Sequence, residues 1–264
     1  ASHAEMSEYR VELVLWILSS IMPFVLMGLW MKASHNAGGS LGPVGFARYF
    51  LAVFVIRQLT LVWVIYEFEE DVVKGRLSAR LLHPIDPGWR YLASHLGERI
   101  ARFPFLIGVC AAFFVLYPAA FWLPGPADAG RAFAALVAAF ALRFLMQYAF
   151  AMVAFWSERA NAIEDLWFFM YLFLSGFIAP LDLFPDSVRR VAELTPFPYL
   201  VYMPARILIG QQVDLTKGFL VMAVWGTGFW FLYRRLWKTG LKRYSAMGDR
   251  KSTRLNSSHM SISY

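Results

Sequence analysis

Few residues in this chain have the types and spacing that chemistry needs. His83 and Asp86 lie three apart across Pro84, and His95 and Glu98 are spaced to share one helix face. An imidazole and a carboxylate so placed could ligate a metal, but two groups fall short of a closed site, and a solvated face is the plainer reading. No G-x-x-x-x-G-K-[ST] occurs, which removes a P-loop for nucleotide phosphates. No Ser or Cys stands near a base at a spacing that suggests an activated nucleophile. No catalytic, cofactor or metal residue is therefore expected, and the chain is not read as an enzyme.

More informative are polar residues placed where hydrocarbon is expected. Arg57 and Gln58 interrupt the apolar run Phe46 to Tyr66, and Arg143 and Gln147 interrupt Arg131 to Trp156. A charge inside such a span costs about 2.5–3.5 kcal/mol on insertion scales. Counted from Phe46 and Ala132, each arginine is 11 residues in, or about 17 Å at the helical rise, so equal depth is expected. No Asp or Glu lies in a span to pair with them. Two readings stay open: bonding to carbonyls and polar groups between helices, or a polar belt that binds an acceptor-rich or anionic group.

The elements that must position these residues are membrane helices. Of 264 residues, 59% are hydrophobic and 16% charged, against about 45–50% and about 25% in soluble domains. Mean hydropathy is +0.50. The net charge of +7 comes mainly from bases beside apolar runs, where they orient helices, so no nucleic-acid partner is expected. Cys110 is the single cysteine and stands in an apolar run, excluding an intrachain disulfide.

Six spans are expected: Leu13 to Met31, Phe46 to Tyr66, Phe103 to Leu123, Arg131 to Trp156, Leu166 to Leu181 and Gly218 to Tyr233. A polar lead-in, Ala1 to Glu12, precedes them and reads as a clipped amino end without a cleavable signal peptide. A Gly-rich linker runs from Lys32 to Gly45. Placing the loop after the second span in the cytoplasm puts thirteen bases inside and seven outside, so both termini are expected inside. That loop, Glu67 to Arg102, is the most charged part of the chain. Its first half places Phe68, Val72, Leu77, Leu81 and Leu82 near helical spacing, predicting a short amphipathic helix over Phe68 to Leu82 that Pro84 and Pro87 end. A second helical stretch, Tyr91 to Arg102, leads into the next span.

The segment Asp182 to Gln212 is too apolar for a surface loop and too broken to span. Pro185 starts a short helix with Val188, Val191 and Leu194 on one face; Pro196 and Pro198 end it, and a second piece, Tyr199 to Ile209, is broken by Pro204. Such pieces enter the outer leaflet only where protein covers their backbone. The tail Asp249 to Tyr264 loses hydrophobic periodicity and reads as foreign sequence, leaving 1–248 as one membrane domain.

The order of these features resembles the permease subunits of ABC-2 type exporters. The resemblance rests on the acid cluster followed by Gly75-Arg76-Leu77, Leu81-Leu82 and Pro84-Ile85, on EYRVELVLW and LLHPIDPGWRY, and on GFIAPLDLFPDSVRRVAELTPFPYLVYMPARILIG. Over about Glu8 to Tyr244 the pattern is similar to a bacterial subfamily that includes viologen-exporter-like permeases. The resemblance implies a multi-pass protein of the bacterial inner membrane, all-α, with a coupling helix and two short outer-face helices. It implies a dimer, with itself or a sister permease, bound to two ABC ATPase subunits that carry ATP and Mg. By that likeness Glu69, Glu70, Asp71, Lys74, Gly75, Arg76, Leu77, Arg80, Leu81, Leu82 and Pro84 form the ATPase-coupling interface. Arg57, Gln58, Arg143 and Gln147 become candidates for the translocation path, and Pro185, Val188, Val191, Pro196, Pro198 and Pro204 for the outer gate. The alternatives are a secondary transporter, for which no span offers an acid to carry a proton, and a non-transporting membrane scaffold.

Overall fold

The computed structural model describes residues 21–34, 41–157, 160 and 162–260, with side chains as far as Tyr244. The lead-in Ala1 to Glu12, residues 13–20 of the first expected span, part of the Gly-rich linker and the last four residues lie outside these. All regular elements among the described residues are helices. Four are long and apolar enough to cross a membrane: Pro43–Val73, Pro87–Leu116, Pro126–Phe155 and Leu215–Tyr244. A shorter apolar helix, α1, covers Ile21–Ser34. The chain divides into two compact units.

The first unit holds Ala1–Leu61, Gly97–Phe140 and Phe169–Met222. Its centre is α2 (Pro43–Thr60), which opens with Pro at the first helical position, where the missing N–H costs nothing. Its sequence is apolar on every side, and it is buried on every side: Ala47, Tyr49, Phe50, Ala52 and Val53 have no exposure. Around Ala47, Leu51 and Phe54 gather Leu106, Phe113 and Ala120, with Phe24 and Met27 of α1 against them.

Between 175 and 185 the chain runs without a long helix, because Gly176 takes φ +83° and ends the preceding turn. A Cβ at Gly176 would stand 2.7 Å from Tyr49 Oη and 2.8 Å from Tyr202 Cβ, so only glycine fits. Irregular backbone needs donors when water is absent, and aromatic side chains supply them. Tyr49 Oη donates to the Gly176 carbonyl at 2.7 Å, and Trp30 Nε1 to Ile178 at 2.8 Å. Elsewhere in the unit Arg48 donates to the carbonyls of Ala120 and Phe121, and Trp122 to that of Leu208.

The second unit holds Val62–Leu96, Ala141–Phe168 and Ala223–Tyr264. It centres on Phe68 of α3 (Val64–Val73), whose ring lies 5.4–6.2 Å from those of Tyr91, Tyr148, Phe155 and Trp237. The expected single helix from Phe68 to Leu82 is instead two. Gly75, at φ +71°, turns the chain between α3 and α4 (Arg76–Leu81). The next helix, α5, runs over Pro87–Leu116 with Pro104 inside it, so the loop stretch and the expected third span share one continuous helix that stops short of Leu123. α6 covers Pro126–Ala151 and continues as a 3-10 turn through Phe155.

Two expectations need correction. Where the fifth span is expected over Leu166 to Leu181 stands α7 (Ala162–Leu174), whose 13 residues reach about 20 Å, because Gly176 stops it. The segment Asp182 to Gln212, expected as two short helices, forms three pieces, α8 (Asp186–Leu194), α9 (Phe197–Leu200) and α10 (Tyr202–Leu208). Pro204 does not break the last of these: it falls in the first turn, where no intrahelical N–H bond is lost. The final helix, α11, covers Leu215–Met260.

Candidate functional site

In the second unit, the charged loop is organised by one buried acid. Asp71 has no exposure, and an ionised carboxylate there must be paired. Tyr91 Oη donates to its Oδ2, Arg80 bridges the same oxygen, and Arg76 Nε donates to Oδ1 at 3.0 Å. The Arg80 guanidinium also lies 5.1 Å from the centre of the Tyr91 ring. Asp71, Arg76 and Arg80 therefore do not stand out as free charges for a partner: they clamp the turn between α3 and α4 onto the start of α5. Lys74 and Arg76 both pair with Glu70 near the surface.

The remaining interface candidates divide by exposure. Leu77 is fully buried; Glu69 and Leu81 are half-buried; Lys74, Gly75 and Pro84 are exposed. Leu82, expected to pack, is 88% exposed, because α4 ends at Leu81 and the chain turns away. It joins Val73, Ile85 and Trp89 as large apolar side chains left open around a rigid, charged turn. Tyr91 was the residue that spacing did not find. Its signal was an aromatic hydroxyl in the second helical stretch of the loop, which only tertiary contact connects to Asp71.

The intramembrane polar residues fall in different units. In the first, Arg57 is 8% exposed with its guanidinium 5.1 Å from the Phe177 ring centre. Gln58 Oε1 accepts from Arg102 at 3.2 Å. Arg102 bridges Glu98, and Arg99 donates to the Leu59 carbonyl at the frayed end of α2. Glu98 thus serves an ion cluster, and its neighbour His95, in the second unit, packs edge-on to Phe144. Among the described residues no group of three or more His, Cys, Asp or Glu comes together to hold a metal.

In the second unit Arg143 is 2% exposed and lies 5.1 Å from the Trp167 ring centre. Gln147, fully buried, donates from Nε2 to Glu164 Oε1 at 2.7 Å. The acid missing from the spans is thus supplied by the first turn of α7, where the helix dipole favours a carboxylate. Only its place in a polar turn hid it.

The gate candidates belong to the first unit. Pro196, Pro198 and Pro204 are buried, whereas Pro185, Val188 and Val191 are exposed, so the apolar face of α8 is not covered by the described residues. Asp182 holds the segment: Arg206 bridges it, and Tyr202 Oη donates to it at 2.8 Å. Glu193 pairs with Arg189 within α8 at 2.9 Å and ties the helix to Lys217 at 2.6 Å. Partial burial pushes the Glu193 carboxyl up, but the hydrogen bonds from Lys217 and Arg189 outweigh it and hold it below its usual range.

This arrangement offers a braced, partly apolar turn in the second unit, and in the first a set of short helices locked by charge. Comparison with protein-family models gives a match to the description "ABC-2 family transporter protein" over residues 21–248. No curated protein matches the chain, and no solved structure does. With the family pattern spread over most of the sequence and four helices apolar enough to cross a bilayer, this chain belongs to the ABC-2 family of transporter proteins.

Proposed function

We propose that this chain is the permease subunit of an ATP-driven ABC-2 exporter, and that the turn from Val73 to Trp89 docks on a separate ATPase. The observation that carries the docking is the exposed group Val73, Leu82, Ile85 and Trp89, presented by a turn that Asp71 makes rigid. Exposed apolar side chains rimmed by charge are what a protein partner covers. ATP and Mg belong to that partner, since the sequence has no P-loop. The six-span plan, both termini in the cytoplasm, pairing with a second permease and a bacterial inner-membrane location complete the reading. Likeness to viologen-exporter-like permeases supports export but does not name a substrate. Arg57, Gln58, Arg143 and Gln147 line the path in this reading, although each is already engaged by its own chain.

The test is purification of the tagged chain from its native membrane in mild detergent. An ATPase should co-purify, and its hydrolysis should depend on this chain. Leu82→Asp with Trp89→Ser should release the ATPase while leaving the permease monodisperse. An ATPase retained by that variant would overturn the docking site; no associated ATPase in the wild type would overturn the whole reading.

A further inference from the structure

The last long helix carries a feature that the transporter reading does not use. Along α11, Val224, Phe231 and Lys238 are seven residues apart, so they drift by only about 20° per step and share one stripe. Val224 is 64% and Phe231 62% exposed. Arg234, Lys238 and Lys242 continue the same side at four-residue spacing, and all three are exposed. Among the described residues, an exposed apolar stripe on a helix apolar enough to cross a membrane thus passes directly into a cationic one. Arg234 also stacks its guanidinium 5.5 Å from the ring centre of Trp230, which is 45% exposed. Arg234, Trp237, Lys238, Leu241 and Lys242 line a groove of about 560 Å³.

Charge settles what the groove accepts. Arg234, Arg235, Lys238, Lys242 and Arg243 fall within ten residues, and no Asp or Glu occurs from Ala223 to Ala246. Asp86, which packs against the neighbouring face, accepts from Tyr233 Oη at 3.3 Å and from the Gly88 N–H at 2.8 Å. Orienting a helix needs bases near its end, but does not need them on the lipid-facing stripe or around a tryptophan. An anionic phospholipid fits both halves of the feature, with acyl chains along Val224 and Phe231 and a phosphate among the bases.

We propose that the Arg234–Lys238–Lys242 groove of α11 is a binding site for an anionic phospholipid headgroup. The proposal rests on α11 crossing the membrane and not on the ATPase docking. Native mass spectrometry of the full chain, titrated with phosphatidylglycerol or phosphatidylcholine, tests it. The wild type should retain phosphatidylglycerol preferentially. R234Q/K238Q/K242Q should lose that preference by at least about tenfold, and the charge-keeping R234K/K238R/K242R should retain it. Equal retention of the two lipids by the wild type would overturn the site. So would an unchanged preference in the glutamine variant, including the case where only its oligomeric mass changes and the face proves to be a contact between copies. Should the triple variant aggregate, the wild type's preference read against rising salt decides: screening must weaken it, and a salt-independent preference refutes the site.

Discussion

Arg143 and Glu164 decide the balance of charge in their part of the second unit. The carboxylate is 8% exposed and bonded to Gln147, with the Arg143 charge acting on it. Removing the cation leaves a buried acid that is stabilised by an amide alone. Arg143→Leu should therefore lower stability by roughly 1–3 kcal/mol, although it removes a charge from the membrane. Adding Glu164→Gln should restore at least about half of the loss, since the neutral amide needs no counter-ion. Thermal unfolding of the four proteins in detergent closes the cycle; additive losses would separate the two residues. The polar character of Arg57, Gln58, Arg143 and Gln147 was legible in the sequence because charge among apolar neighbours stands out. Their partners were not legible: Arg102 and Glu164 reach them from other helices, and nothing in local spacing encodes that.

The turn between α3 and α4 owes its shape to Asp71 more than to helix propensity. Asp71→Ala would strip Tyr91 Oη and the Arg80 guanidinium of this acceptor and leave Arg76 with Glu70. Because Arg76 and Arg80 are partly exposed and can reach water, the cost should be roughly 2–4 kcal/mol and not the full penalty of an uncompensated ion. Substrate-stimulated hydrolysis should fall further than basal hydrolysis, because the docking turn would loosen. Asp71→Asn, which keeps an acceptor for Tyr91, should lie between; equal loss of both activities would make the acid merely structural. The expected amphipathic helix located this element, but Gly75 could be read there only as a motif residue, since a left-handed turn leaves no periodicity. The short helix α8 should respond to pH. The Glu193 carboxyl is held below its usual range by Lys217 and Arg189. Its contribution is present above the ordinary glutamate range, near pH 4.3, and is lost as pH falls through the lower value it has when folded. The protection of the α8 amides, their exchange rate set against the intrinsic rate at each pH, should therefore fall below that range, and Glu193→Gln should show low protection already at neutral pH. A wild-type profile flat down to pH 3 would remove Glu193 as the tie.

The membrane class of the molecule was written in its composition, and the runs behind its four helices apolar enough to cross a membrane were each visible as stretches of high hydropathy, two of them interrupted by Arg and Gln. The expected six-span plan overreached the helix lengths at α7, where Gly176 ends the helix for a reason that lies in Tyr49 and Tyr202, residues far away in sequence. Sidedness depends on the chain as a whole, and the argument for it is electrostatic. Cytoplasmic loops accumulate Lys and Arg because translocating them is disfavoured. Lys74, Arg76, Arg80, Arg90, Arg99 and Arg102 flank one set of helix ends, while the segment holding Asp186 has few bases for its length. Single cysteines at Ile85 and Asp186, both exposed, report the two sides once Cys110 is replaced by alanine. In intact cells a membrane-impermeant maleimide should label the cysteine at 186 and spare the one at 85, which should react only after permeabilisation. The opposite pattern would invert the protein and move the Val73 to Trp89 turn away from any cytoplasmic ATPase. Labelling of both positions in intact cells would mean that an odd number of crossings does not separate them, and the plan of helices between 85 and 186 would have to change.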